Sequence, residues 1–250
     1  MKIHAFGLTD VGRRRESNED DFLLEPARGV YAVADGMGGH AAGEIASRLA
    51  IDTLREVLVA TDGAEARTMD LEDAALSLRE AVVEANRRIC DSIRLHEERR
   101  GMGTTLVAMV QSGKEAIVGH VGDSRLYLLR GNELMRVTSD HSWVNEQVKL
   151  GLMNDDAAQR HPMRNIVTRA LGSRQDVVVD LSSVDVEPAD VFLLCSDGLN
   201  TMLSDEQIQS VLATHRKEPE AACQRLIQEA NRHGGEDNVT VVVACVSDTA

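Results

Sequence analysis

Thr104-Thr105-Leu106-Val107-Ala108-Met109-Val110-Gln111 is an apolar run rich in β-branched residues. Ser112-Gly113-Lys114 interrupts it, and Glu115-Ala116-Ile117-Val118-Gly119-His120 takes the pattern up again. Two such runs around a short Gly-containing break read as a β-hairpin, and Arg125–Leu129 supplies a third strand close behind. Further out, residues 2–8 and the continuous apolar run Val30-Tyr31-Ala32-Val33-Ala34 also read as strands. Val177–Val186 and Val191–Cys195 flank the turn Glu187-Pro188-Ala189-Asp190, and Val239–Val246 reads as a last buried strand. Helical spacing appears in other blocks. Over 70–98, Ala74, Leu78, Ala81, Ala85 and Ile89 share one face, and 44–59 reads as a helix as well. A short amphipathic helix is expected after His141-Ser142-Trp143. Ser204-Asp205-Glu206-Gln207 has capping-box spacing, and Pro219 fits a first helical turn. Hairpin-joined strands with the long helices grouped apart predict an α+β fold, not a wound βαβ sheet.

The chain has 250 residues, 43% of them hydrophobic and 27% charged. A core of that size needs no disulfide staples. The four cysteines form no CxxC pair, and no His lies at zinc-finger spacing, which disfavours a structural zinc site. Met1-Lys2-Ile3-His4 does not start a signal peptide, and no apolar run reaches the about 18 residues of a membrane span. A cytoplasmic protein without an anchor or sensor of its own is expected. No repeat, linker or low-complexity tract divides the chain, so residues 1–250 are expected to form one domain. Lys and Arg number 27 against 41 Asp and Glu, a net charge of −14. That field repels nucleic-acid phosphates and anionic lipid, and 2% aromatics are too few to stack bases. A phosphate-bearing substrate would need local positive charge, from a few Arg or from bound metal ions.

Apolar runs repeatedly end at an Asp in a tight turn: Val33-Ala34-Asp35-Gly36, Val121-Gly122-Asp123-Ser124 and Leu194-Cys195-Ser196-Asp197-Gly198. Glu236-Asp237-Asn238 precedes the last strand, and Asn18-Glu19-Asp20-Asp21 precedes the apolar Phe22-Leu23-Leu24. Any one of these is an ordinary turn, because Asp bonds its own backbone and Gly accepts positive φ. Five together point elsewhere. Carboxylates gathered at one end of a core repel unless something positive sits among them, and hard divalent cations fill that role. Without clustered His and Cys, the donor set favours Mg²⁺ or Mn²⁺. A carboxylate-held pair of such ions is suited to hydrolysing phosphate esters.

Gly36-Met37-Gly38-Gly39-His40-Ala41 has the outline of a dinucleotide loop, but Asp35 would face the pyrophosphate and no βαβ unit follows. A flexible loop that brings the Gly36 carbonyl to a metal fits better. A cysteine phosphatase is excluded, since the sixth residue after Cys195 is Thr201 and after Cys90 is His96. A Walker loop is excluded because Gly113-Lys114 continues into Glu115. Cys195 reads as a small core residue.

Taken together, seven motifs resemble a known family. They are Arg15-Glu16-Ser17-Asn18-Glu19-Asp20, Asp35-Gly36-Met37-Gly38-Gly39-His40, Gly101-Met102-Gly103-Thr104-Thr105, Gly122-Asp123-Ser124-Arg125, Ser139-Asp140-His141-Ser142, Cys195-Ser196-Asp197-Gly198-Leu199 and Asp237-Asn238-Val239-Thr240. In this order they are similar to the metal-dependent (PPM, or type-two-C) protein phosphatases in their bacterial form, over about residues 7 to 246. The resemblance implies a four-layer α-β-β-α sandwich of two antiparallel sheets flanked by helices, with the metal site in the cleft at the sheets' ends. A flap at about 141–172, carrying His161-Pro162-Met163-Arg164-Asn165, is expected to select substrate.

Carried over by position, Asp35 would bridge two ions, and Asp197 and Asp237 would complete the first. The Gly36 carbonyl would bind the second, with Asp20 holding its waters. Asp123 and Asp197 would hold a third ion. Arg15 would bind the substrate phosphate, a role that suits a guanidinium fork. Arg15 and Asp20 are chosen over their neighbours Arg13, Arg14 and Asp21 by the family's Arg-x-x-Asn-x-Asp spacing. The implied reaction is hydrolysis of phosphoserine and phosphothreonine in proteins by a metal-bridged hydroxide attacking in line. It would oppose a cytoplasmic Ser/Thr kinase, and nothing requires more than a monomer. Eukaryotic members carry a His, a candidate general acid, where this chain has Met37. The leaving-group proton would then come from a metal-bound water or another side chain such as His40, for which a packing or capping role fits equally. The rival readings are a narrow-substrate regulator of the same fold, and a phosphoprotein-binding scaffold without catalysis.

Overall fold

The computed structural model describes residues 2–38, 42–59, 70–154, 157–158 and 160–247. The hairpin that set the fold class forms as expected. β5 (Leu106–Ser112) and β6 (Glu115–Val121) are antiparallel, with Ser112 opposite Glu115 and Gly113 at a φ of 61° in the turn. Around them lie β1 (Lys2–Asp10), β2 (Asp20–Glu25), β3 (Val30–Met37) and the short β4 (Gly103–Thr104). β7 (Arg125–Arg130), β8 (Glu133–Arg136), β9 (Asp180–Asp185), β10 (Val191–Cys195) and β11 (Val239–Ser247) complete the strands. One sheet has the order β1-β11-β10-β7-β8; the other is β2-β3-β5-β6-β9, with β4 beside β3. The pairings are antiparallel.

Strand alternation builds three apolar layers. Tyr31, Val33, Val107, Met109 and Val118 from one sheet meet Leu126, Leu128, Phe192, Leu194 and Val242 from the other. Their neighbours point the opposite way: Ala32, Ala34, Leu106 and Ala108 pack under α1 (Gly43–Leu58) and α2 (Leu71–Leu95). On the far side, Tyr127, Leu193, Val241 and Val243 pack under Ile208, Leu212, Leu226 and Ile227. The inner strands are covered on both faces, which is why they are continuous apolar runs. The result is the α-β-β-α sandwich.

The helices use the signals read from sequence. α3 (Trp143–Lys149) is capped by Ser142, and α4 (Asp197–Asn200) is a single turn straight off β10. α5 (Asp205–Thr214) has the full Ser204–Gln207 capping box, and α6 (Pro219–Arg232) opens on its Pro. The strand expected over 177–186 is shorter. β9 begins at Asp180, opposite His120, one residue short of the end of β6 at Val121, where the chain turns at Gly122.

Phe192 is fully buried between the sheets. Phe192→Ala is expected to cost about 3–5 kcal/mol through lost burial and the cavity left. Ser204→Ala, which removes only a cap, should cost about 1 kcal/mol. Urea midpoints of the two variants, at unchanged slope, check the ranking.

Candidate metal centre

Strand pairing places the first two acidic residues together, since Asp20 of β2 lies opposite Asp35 of β3. Asp123 sits in the bend between β6 and β7, Asp197 starts α4 directly after β10, and Asp237 lies just before β11. These five carboxylates converge where the ends of the two sheets meet. Asp35 is surrounded by Asp20, Asp197, Asp123 and Asp237, each close enough to act on its charge.

Hydroxyls and amides hold the cluster against its own repulsion. Ser196 Oγ donates to Asp20 Oδ2 at 2.8 Å and itself accepts the Thr240 N–H at 2.9 Å. The Asp35 carbonyl accepts from Thr104 Oγ1 and from the Thr105 N–H, both at 2.9 Å. Thr105 Oγ1 lies 2.6 Å from Ser124 Oγ, tying the Asp35 strand to the Asp123 bend. Asn238 Oδ1 accepts from the Glu19 N–H, while its Nδ2 donates to the Val11 and Ser17 carbonyls. The 11–19 loop is thereby stitched to the start of β11. These Ser, Thr and Asn residues stood inside the sequence motifs, yet only the pairing of distant segments shows what they do.

Burial and crowding appear in the ionisation of the group. Burial, reinforced by neighbouring carboxylates, lifts Asp35 well above the ordinary range. The same causes push Asp20 up to about 7, against the pull of the neighbouring Thr240 and Ser196 hydroxyls. Asp123 is raised to about 8 by burial and then by Asp197 and Asp140; Asp197 is raised to about 6 by burial and Asp237. Asp20 Oδ1 is buried with no hydrogen-bond partner. A buried, unpaired carboxylate oxygen among four further carboxylates fits a divalent cation site, whose ligands are hard oxygens.

Two cations stand at the cluster in different ways. Arg125 is largely buried and grips Asp140 in a fork, Nη2 to Oδ2 at 2.6 Å and Nε to Oδ1 at 3.0 Å, while Nη1 donates to Tyr127. Arg15 is half exposed and gives one bond, Nη2 to Asp237 Oδ2 at 2.6 Å. Among its neighbours, Arg13 turns to Asp10 instead. Asp21 likewise points away from Asp20, towards Asp52, Arg48 and Arg55.

Gly36 is part of β3, not of a flexible loop. It must be Gly because a Cβ there would collide with the backbone oxygens of Glu19 and Gly43. His40 lies outside the described residues. Cys195 is buried in the core as expected. The described residues also bring together His120, His141 and Asp180, which the sequence reading did not connect.

Known proteins share this arrangement of chain. The model of the protein phosphatase 2C family matches residues 12–233. The serine/threonine phosphatase stp of Listeria welshimeri is 38% identical over 244 residues, covering 96% of this chain and 95% of that protein. Protein phosphatase PhpP of Streptococcus pneumoniae is 35% identical over 96% of both. The crystal structure of the Mycobacterium tuberculosis serine/threonine phosphatase PstP/Ppp superposes with a TM-score of 0.90 at 37% identity, over 99% of this chain and 100% of that one. The PstP catalytic domain solved with two manganese ions gives a TM-score of 0.86 at 37% identity, over 98% of this chain and 99% of that one. The chain belongs to the protein phosphatase 2C family.

Proposed function

We propose that the chain hydrolyses phosphoserine and phosphothreonine esters in proteins at a two-ion Mn²⁺ or Mg²⁺ centre, with a third ion beside it. The observation that carries this is the set of five Asp from five separate segments, gathered at the ends of both sheets around an unpaired buried oxygen. Asp35 would be shared between two ions, Asp197 and Asp237 would complete one, and Asp20 with the Gly36 carbonyl would serve the other. Asp123 with Asp197 would hold the third. Such ions offset charge on phosphoryl oxygens and lower the pKa of bound water towards neutrality. PstP, at 37% identity, was solved with two manganese ions, which supports the count.

The protein's own groups do the rest. Arg15 keeps donors free at the mouth of the cluster and is suited to grip the phosphate oxygens. A cavity of about 540 Å³ runs on from Asp123 and Asp197 under the flap, past Asn145, Arg160 and Arg164, to the start of α5. We assign it to the protein chain on either side of the scissile residue. Met37 has no proton to give the leaving oxygen. A phosphocysteine route is unsupported, because burial pushes the Cys195 thiol up to about 12.

Among the described residues no helix is long and apolar enough to cross a membrane. We place the enzyme in the cytoplasm as a monomer, opposing a Ser/Thr kinase and acting on that kinase's substrates.

Asp35→Asn keeps the shape and removes the central charge. Mn²⁺-dependent phosphate release from a phosphothreonine peptide is expected to fall to background. Peptide binding without release by the unaltered protein would instead mark a scaffold. For Arg15→Ala, the loss of charged hydrogen bonds contributing about 1.5–3 kcal/mol predicts a drop of roughly ten- to a hundredfold in kcat/KM, mostly in KM. An unchanged KM would remove Arg15 from phosphate binding.

Stability should depend on pH and metal together. Asp20, Asp35, Asp123 and Asp197 are raised in the folded state, so their protonated forms favour folding. In EDTA, that stability is full below the unfolded Asp value of about 4; the share of Asp197, Asp20 and Asp123 is lost as pH rises through about 6, 7 and 8 in turn, and that of Asp35 as its own raised pKa is passed. Added Mn²⁺ should reverse the loss, most strongly at pH 8, where its ligands are deprotonated. At about a hundred times its Kd an ion adds about 2.7 kcal/mol, a rise in Tm of roughly 5–10 °C. Thermal melts from pH 5 to 8.5, with EDTA or Mn²⁺, check both signs.

A further inference from the structure

His141 is buried beside the Asp123 bend and holds it from two directions. Its N–H donates to the Gly122 carbonyl at 2.9 Å, and its Nδ1 accepts the Gly122 N–H at 3.0 Å. An Nδ1 that accepts carries no proton, so the ring proton sits on Nε2, which donates to Asp180 Oδ2 at 3.1 Å. Asp180 Oδ1 in turn accepts from Arg169 Nη1 at 2.6 Å. His120 stacks on the His141 ring, centroids 4.7 Å apart and planes within 11°, and meets the Ser139 carbonyl through Nε2. The His141 carbonyl accepts the Thr168 N–H, joining the base of the flap to the same group.

Two His and an Asp with ligand atoms within 4.8 Å of one another have the composition of a cation site. The hydrogen bonds argue otherwise. Both nitrogens of His141 are engaged, His120 Nε2 faces a carbonyl, and Asp180 already has Arg169 and His141 as partners. The cluster is a relay that ends on Gly122. The Gly122 carbonyl belongs to the peptide unit leading into Asp123, so fixing it sets where the Asp123 backbone goes. Gly122 has a φ of 111°, and a Cβ there would run into Thr105, leaving that residue few other conformations.

We propose that His141, oriented by Asp180 and Arg169, is the positioning residue for Asp123 and thereby sets the affinity of the ion that Asp123 and Asp197 share. The inference rests on the metal-centre reading of the Asp cluster. Partners one step removed from a metal usually change its affinity about 10–100-fold, and this relay reaches the ion only through Asp123.

The test is Mn²⁺ titration calorimetry on the whole protein, with melting temperatures in EDTA as the measure of folding. His141→Asn places an amide oxygen near the former Nδ1 and can still accept from Gly122. His141→Gln reaches towards Asp180 and abandons Gly122. Asp123→Asn is expected to delete one ion from the isotherm. His141→Gln should weaken that same ion tenfold or more and leave the ions of Asp35 unchanged, while His141→Asn restores most of the affinity. A purely structural role for His141 would lower both EDTA melting temperatures without singling out one ion, and that result overturns the proposal. So does an Asp123→Asn isotherm identical to that of the unaltered protein, since Asp123 would then hold no ion to be positioned. Failure of the underlying reading looks different: Asp35→Asn would bind Mn²⁺ as fully as the unaltered chain.

Discussion

Mutual repulsion among Asp20, Asp35, Asp123, Asp197 and Asp237 is the constraint that the rest of the structure answers. Two unit charges 4 Å apart at an effective dielectric of 20 interact by about 4 kcal/mol. A few such pairs would rival the whole net stability of a domain, about 5–15 kcal/mol. The cluster can therefore persist only if its carboxylates bind protons, or if a cation replaces those protons. The upward shifts at Asp20, Asp35, Asp123 and Asp197 are the first solution. A divalent ion is the second, and only the second is useful near neutral pH. The fold stores this tension safely because the apolar layer between the sheets, with Tyr31, Phe192 and Leu194 fully buried, lies behind the cluster and not within it.

Sheet geometry explains why the acids come from so many places. A strand end is a rigid platform, and two stacked sheets present several of them at one rim. Each platform brings one carboxylate, and neighbouring hydroxyls or amides lock it: Ser196 onto Asp20, Thr104 and Thr105 onto the Asp35 backbone, Asn238 onto the loop that carries Arg15. The small polar residues in the motifs are thus holding devices. Glycine serves the same end at Gly36, where three backbones approach more closely than any side chain would allow.

Much of this was legible in the sequence because its signals are local. Continuous apolar runs marked β3, β5, β10 and β11, and the Ser204 capping box marked α5. Apolar runs ending at Asp marked the carboxylates. What was missed lacked a local signal. β8, Glu133–Arg136, is a short edge strand with charged ends, and β2 begins on the acidic pair Asp20-Asp21. Spacing borrowed from a family chose Asp20 over Asp21; the physical reason is alternation, which sends one to Ser196 and the other towards Asp52 and Arg48. The His141–Asp180 contact spans 39 positions and two sheet-edge segments, and no pattern along the chain announces it.

The two arginines at the cluster show how one residue type divides its labour by burial. Arg125 has Asp140 on a fork and Tyr127 on its remaining amino group, so its donors are committed inside the protein and a phosphate could reach them only by breaking that fork. Arg15 spends one donor on Asp237 and leaves the others towards solvent. In a chain of net charge −14, a dianionic phosphate meets repulsion at long range, but screening confines that field to about 8 Å at physiological salt. What decides binding is the charge within that radius. There the five carboxylates are offset only when cations sit among them, so on the proposed reading a cluster stripped of its ions would repel a phosphate that Arg15 alone could not hold.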